Sequence, residues 1–310
     1  MFYAPINTLP PEILSYVFTL SRSYCACTST EGIEFHDLAV VCTYWREIAL
    51  NTTTLWTHID VGPGTPTYLT KLLLKRTRDV PIHAHVYEPP TSLPRLEREA
   101  SGLLAPHAHR VRTVHVESYS FNQTFIRSIL NLWLGHSNNK NILESLVIYQ
   151  PYFTVRQNDE GTTIARSERA KRTMAALTTL QLQNVSFGWN SVAYHDLVDL
   201  RLAFTPGSVS ISILQLVEIL SASPALATLR LEYLTIYQTE GWRQLAPIRM
   251  ENLSVLNLIH MLPNCLRLLL PLISTTTSLI EISLGIAADD QIRDELVAFL
   301  VRSGVNTLYC

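Results

Sequence analysis

The chain has 310 residues, 47% hydrophobic and 16% charged, with 24 Lys and Arg against 26 Asp and Glu. That length makes about two domains or one large repeat domain, able to bury a core without metal or disulfide staples. The composition excludes a disordered chain, and a net charge of −2 excludes the global basic field of a generic nucleic-acid binder.

In chain order, the first feature is Leu9-Pro10-x-Glu12-Ile13-Leu14-x-x-Val17-Phe18. Pro10 and Pro11 suit the first turn of a helix, and Glu12 complements its dipole. Ile13, Leu14, Val17 and Phe18 then form one apolar stripe at helical spacing. After a connection rich in Ser, Thr and Cys, Ser21 to Gly32, a second helix is predicted from about Glu34 to Leu50. Leu38, Val41, Cys42, Trp45 and Ala49 share one of its faces, and Asn51 caps its end. Taken alone, such stripes serve equally well as the N-terminal cap of a larger domain.

From about residue 55 the chain repeats itself. The template Leu-x-x-Leu-x-Leu occurs at Leu177-x-x-Leu180-x-Leu182, Leu197-x-x-Leu200-x-Leu202, Leu226-x-x-Leu229-x-Leu231 and Leu253-x-x-Leu256-x-Leu258. Looser copies begin at Trp56, Val111, Leu143, Leu279 and Val305. From 111 onward the starts lie 32, 34, 20, 29, 27, 26 and 26 residues apart, the later ones within the 20–29 range of leucine-rich repeats. The last two apolar residues of each unit are two apart, so both point into a core from a strand. The same period sets Ile82, Ala84 and Val86 inward against His83, His85 and Tyr87 outward. Helical stripes lie between, at Tyr68, Leu69, Leu72 and Leu73, and at Ile213, Leu216, Val217 and Leu220. Val155 to Arg172 interrupts the pattern as a polar surface loop. The predicted fold is α/β: a helical region over 1–54, then a right-handed solenoid over 55–310. Its parallel strands lie on the concave side and its helices on the convex side. The final unit at Val305 ends in a strand without a cap, so the expectation is a longer or truncated chain.

The N-terminal run, with Val41-Cys42-x-x-Trp45-Arg46-x-Ile48-Ala49 and Leu55-Trp56, resembles an F-box motif. Its combination with a degenerate leucine-rich solenoid is similar to the large fungal F-box family. The connection Ser21 to Gly32 is longer than that family's compact F-box has. The resemblance implies an adaptor rather than an enzyme. A helical hairpin would dock a Skp-type adaptor, and through it a cullin, while the solenoid recruits a protein substrate for ubiquitylation. It assigns Leu9, Pro10, Ile13, Leu14, Val17, Phe18 and Trp45 to the adaptor interface. The rival expectation is a leucine-rich interaction module unrelated to ubiquitin.

Other chemistry finds little support. His83, His85 and His115 have the ligand type for zinc. Period two puts them on an exposed sheet face, where histidine is ordinary, so no metal and no cofactor is expected. Cys25 and Cys27 are closer together than a metal-ligand pair, and five cysteines in all read as reduced thiols of a cytoplasmic or nuclear protein. No nucleophile elbow, phosphate loop, His-Glu-x-x-His helix or dinucleotide turn is present. The basic clusters around Lys71 to Arg78 and Arg166 to Arg172 lack interleaved aromatics, so no nucleic acid is expected. No membrane span is expected either, because the charge-free stretch Thr173 to His195 is dotted with amides and hydroxyls. Arg22, the first cation, and Pro5, Pro10 and Pro11 argue against a signal peptide.

The substrate expectation rests on two outward columns across the strands. One holds His58, His83, Thr113, Ser145, Thr179, Asp199, Thr228, Val255 and Glu281; the other holds Asp60, His85, His115, Val147, Gln181, Arg201, Arg230, Asn257 and Ser283. From them the candidate surface is His83, His85, His115, Gln181, Asp199, Arg201, Arg230, Asn257 and Glu281. Arg201 and Arg230 side by side imply an acidic or phosphorylated segment between them, unless Asp199 and Glu232 neutralise them.

Overall fold

The computed structural model describes residues 5–21, 35–88, 94–119, 124–135, 142–151, 168–275, 281–284 and 292–303. The expected strand at Val305, most of the connection Ser21 to Gly32 and residues 155–167 of the polar loop lie outside them.

The N-terminal region contains three helices among the described residues: α1 (Pro11–Ser21), α2 (Phe35–Val41) and α3 (Thr43–Asn51). The single second helix expected over 34–50 is thus two. Cys42 separates them, with extended backbone at φ −159°. Its Sγ accepts the Trp45 N–H at 3.4 Å and caps α3. The β-branched pair Val40-Val41 props up a continuing helix poorly, so the cap prevails there.

Strands and helices then alternate: β1 (His58–Val61), α4 (Thr67–Arg76), β2 (Ile82–Glu88), α5 (Pro94–Leu104), β3 (Val111–Ser118), α6 (Thr124–Gly135), β4 (Ser145–Tyr149), α7 (Glu168–Met174) and β5 (Thr179–Gln183). The end of the expected polar loop is therefore helix α7. The next interval is only 20 residues, and a 3-10 turn, Val192–Tyr194, replaces the helix before β6 (Asp199–Ala203). The remainder runs β7 (Ser210–Ser212), α8 (Ile213–Ser221), β8 (Thr228–Glu232), β9 (Thr235–Tyr237), β10 (Ile248–Arg249), β11 (Val255–Ile259), α9 (Pro263–Leu269), β12 (Ile273–Ser274), β13 (Glu281–Leu284) and α10 (Arg293–Ser303).

Nine strands form one parallel sheet in the order β1-β2-β3-β4-β5-β6-β8-β11-β13; β7 with β9 and β10 with β12 make two small parallel pairs. The register aligns both predicted columns. Thr179, Asp199, Thr228, Val255 and Glu281 lie opposite one another, as do Gln181, Arg201, Arg230, Asn257 and Ser283. Upstream, His58 pairs with His83 and Asp60 with His85, and His85 pairs with His115. Between the columns the leucines are buried in a core that also takes in Leu14 near one end of the chain and Phe299 near the other.

The predicted stripe of α4 is shifted. Tyr68 and Leu72 are exposed, whereas Thr70, Leu73 and Leu74 are buried. Thr70 turns inward because its hydroxyl donates to the Asp60 carbonyl at 3.1 Å. The helical region joins the sheet through Trp56, whose indole N–H donates to the Ala49 carbonyl at 2.9 Å under the Arg76 guanidinium, 4.3 Å from the ring.

Candidate functional site

Three surfaces carry the sequence-predicted residues. The first is the helical region. Leu14 and Phe18, one turn apart, are buried against α3, with the Phe18 and Trp45 rings 4.9 Å apart. Trp45 donates its indole N–H to Asn7 Oδ1 at 2.9 Å, and Tyr44 donates its hydroxyl to the Leu9 carbonyl at 3.0 Å. Leu14 and Phe18, two of the residues expected at the interface, are buried in the core of this structure. Leu9 and Trp45 are half-buried against the same core. Pro10 and Ile13 are exposed, and Val17 is partly so. Tyr16 and Leu20, absent from the prediction, complete an outward stripe with Ile13 and Val17, and Leu20 is 65% exposed. The spacing 13, 16, 17, 20 is itself helical, so a second apolar stripe was legible. Val40 and Val41 of α2 are also exposed.

The second surface is a groove of about 690 Å³ on the outward face of β3 to β6, β8 and β11. His115, Gln181, Arg201, Arg230 and Asn257 line it; His83, His85, Asp199 and Glu281 do not. Arg201 is held by a two-pronged pair, Nη2 to Asp199 Oδ2 at 2.7 Å and Nε to Oδ1 at 2.9 Å. Asp199 thus neutralises Arg201, one of the two arginines expected to await an anion. Arg230 stands beside it in register, and its Nε is buried without a hydrogen-bond partner among the described residues. At the far end Tyr119 and Tyr149 line the groove, in a row with Tyr87 at ring spacings of 5.6 and 6.0 Å.

The third is a histidine–carboxylate network over β1 to β3. Asp60 Oδ1 accepts from His58 Nε2 at 3.0 Å and from His85 Nδ1 at 2.9 Å. His85 Nε2 reaches Glu117 Oε2 at 3.3 Å, and the Tyr119 hydroxyl donates to the other Glu117 oxygen. The His85 and His115 rings stack at 4.6 Å. Burial alone would lower the His85 pKa, but the Asp60 and Glu117 carboxylates outweigh it and raise it above the ordinary value. Burial would raise Asp60, yet hydrogen bonds and charge from His58 and His85 hold it well below the usual carboxylate range. Burial, and then the charge on His85, push His115 down to about 4. Of the three histidines weighed as ligands, His85 and His115 come together with Glu117, and His85 with His58 and Asp60, without His83; His115 is buried rather than exposed.

Among the described residues no helix is long and apolar enough to cross a membrane. No curated protein matches the chain. The F-box-like family model matches residues 6–61, which span α1 to α3 and run through β1. The helical end of this chain, with its uncovered α1 stripe, is an F-box-like domain, of the kind that generally belongs to adaptors binding a Skp-type partner in SCF complexes.

Proposed function

We propose that the protein is the substrate-receptor subunit of an SCF-type cullin–RING ubiquitin ligase. Its F-box-like domain docks a Skp-type adaptor, and its sheet, a degenerate leucine-rich solenoid of the fungal F-box type, holds a protein substrate. The carrying observation is the F-box-like match over 6–61 on a helical region whose α1 turns Ile13, Tyr16 and Leu20 outward. Such a stripe needs a partner surface, and an adaptor supplies one. Strand-and-helix alternation at 26 to 29 residues supports the solenoid reading. It is degenerate because Val185, Leu234 and Met261, buried apolar residues, stand where leucine-rich repeats carry Asn or Cys.

Titration of the purified chain with a Skp-type adaptor tests the first half. Ile13→Asp/Leu20→Asp is expected to weaken binding by about a hundredfold or more, as loss of central apolar anchors does. Circular dichroism should stay unchanged, because both side chains are exposed. Equal binding by variant and wild type would leave the rival reading, an interaction module unrelated to ubiquitin. For the second half, Arg230 is the anion-reading cation and the tyrosine row is the apolar flank. Arg230→Glu should remove the captured substrate while adaptor binding survives; unchanged capture takes the arginine out of the reading.

A further inference from the structure

We infer that His58, Asp60 and His85 form a zinc-binding site, with water in the fourth position and Glu117 as the outer carboxylate that orients His85. This inference is independent of the ubiquitin-ligase reading.

The donors are preorganised by the sheet. His58 and Asp60 are two apart on β1, so they share its outward face, and His85 lies directly opposite Asp60 on β2. His58 Nε2 and His85 Nδ1 lie 3.0 and 2.9 Å from Asp60 Oδ1, and all three atoms fall within 4.8 Å of one another. Donors about 2.0–2.1 Å from a tetrahedral zinc stand roughly 3.3 Å apart. Displacing the shared protons and lengthening the two distances to Asp60 by a few tenths of an ångström brings them to zinc spacing.

The outer shell matches as well. Zinc-bound histidines pass their second N–H to a carboxylate, which fixes tautomer and ring orientation. His85 Nε2 faces Glu117 Oε2 at 3.3 Å, and Glu117 is steadied by the Tyr119 hydroxyl. The His58 and His85 side chains are only 11% and 17% exposed, while Asp60 is 46% exposed. Two fixed imidazoles and one open side leave room for a single further ligand from solvent. Two nitrogens and one oxygen suit zinc; magnesium and calcium want an all-oxygen shell of six or more.

A neighbouring trio, His85, His115 and Glu117, also brings its donor atoms together. Its two rings are stacked, only 25° from parallel. Ring-nitrogen lone pairs lie in the ring planes, so stacked rings aim them side by side instead of at one point. The His58 and His85 rings are tilted by 39° at 6.1 Å, which permits convergence. Ring orientation thus selects the first trio and gives Glu117 the outer role.

The test is calorimetric titration of the full chain, stripped with chelator, with zinc chloride at neutral pH. One zinc per chain is expected. Asp60→Asn and His85→Gln should each weaken binding by at least about tenfold and Glu117→Gln by about tenfold, whereas exposed His195→Gln should not change it. No zinc binding by the wild type overturns the site. So does equal binding by a His58→Gln/His85→Gln variant that folds by circular dichroism. Should these variants not fold, cobalt in the wild-type chain decides: intense visible bands of four-coordinate cobalt, lost on adding zinc, support the site. Weak six-coordinate bands overturn it.

Discussion

Arg110 shows how much one side chain can hold. Its Nη1 donates to Thr77 Oγ1 at 2.7 Å and to the Val80 carbonyl at 3.1 Å, and its Nη2 donates to the Leu74 carbonyl at 3.1 Å. It closes the C-terminus of α4, where a cation also complements the helix dipole. Arg110→Ala is expected to cost about 3 kcal/mol in urea unfolding, since it strands buried acceptors. Arg110→Lys should recover part of that, keeping charge but not the fork. Tyr194 sets a second expectation. It is fully buried, its hydroxyl accepts the Phe187 N–H at 3.2 Å, and burial raises its pKa above the ordinary phenol value. The folded state thus keeps a proton that the unfolded chain loses above pH about 10, and stability falls as pH rises past that point. Tyr194→Phe should flatten that alkaline slope in pH-dependent denaturation. Neither residue was legible: the Arg110 partners at the end of α4 lie 30 to 36 positions upstream, and no period links them. Asp60 stood in a predicted column, yet ligand type singles out histidines, and the carboxylates between them carry no zinc signal of their own.

At the scale of elements, α1 divides its apolar residues between two jobs. Leu14→Ala is expected to destabilise the chain by about 2–5 kcal/mol, the range for a buried leucine, whereas Ile13→Asp should act on binding and leave unfolding midpoints nearly unchanged. Helix α8 starts with a reciprocal cap: Gln215 N–H donates to Ser212 Oγ at 3.2 Å, and Ser212 N–H donates to Gln215 Oε1 at 3.2 Å. Ser212→Ala should cost about 1 kcal/mol, read from the urea midpoint. In the nine-stranded sheet the inward and outward positions were legible, because a period of two admits only two registers and the leucines choose one. Helix faces were less so. In α4 the run Leu72-Leu73-Leu74 leaves the phase undecided, and a hydrogen bond from Thr70 settles it. The break at Cys42 was hidden because a thiol is an uncommon cap and apolar spacing runs straight through it.

Across the whole molecule, the helical region and the sheet share one core that includes Leu14, Trp56 and Ile59. Adaptor at a thousandfold its Kd should add about 4 kcal/mol and raise a single melting transition, with helix and sheet signals moving together. Two separate transitions, only one of them shifted, would contradict a shared core. The parallel sheet of alternating strands and helices was legible from the spacing of Leu-x-x-Leu-x-Leu. The pairs β7 with β9 and β10 with β12 were not, since strands of two or three residues carry no pattern. The strict alternation of β4, β5, β6, β8 and β11 has a further consequence for diversification. On these strands buried and outward positions alternate, so the outward rows can vary while the leucines stay. Changing 199, 201, 228, 230, 255 and 257 together rewrites a contiguous patch of six side chains, three strands wide, without touching the core. Substitution in those rows alone gives such a chain a new outward surface at little cost in foldability.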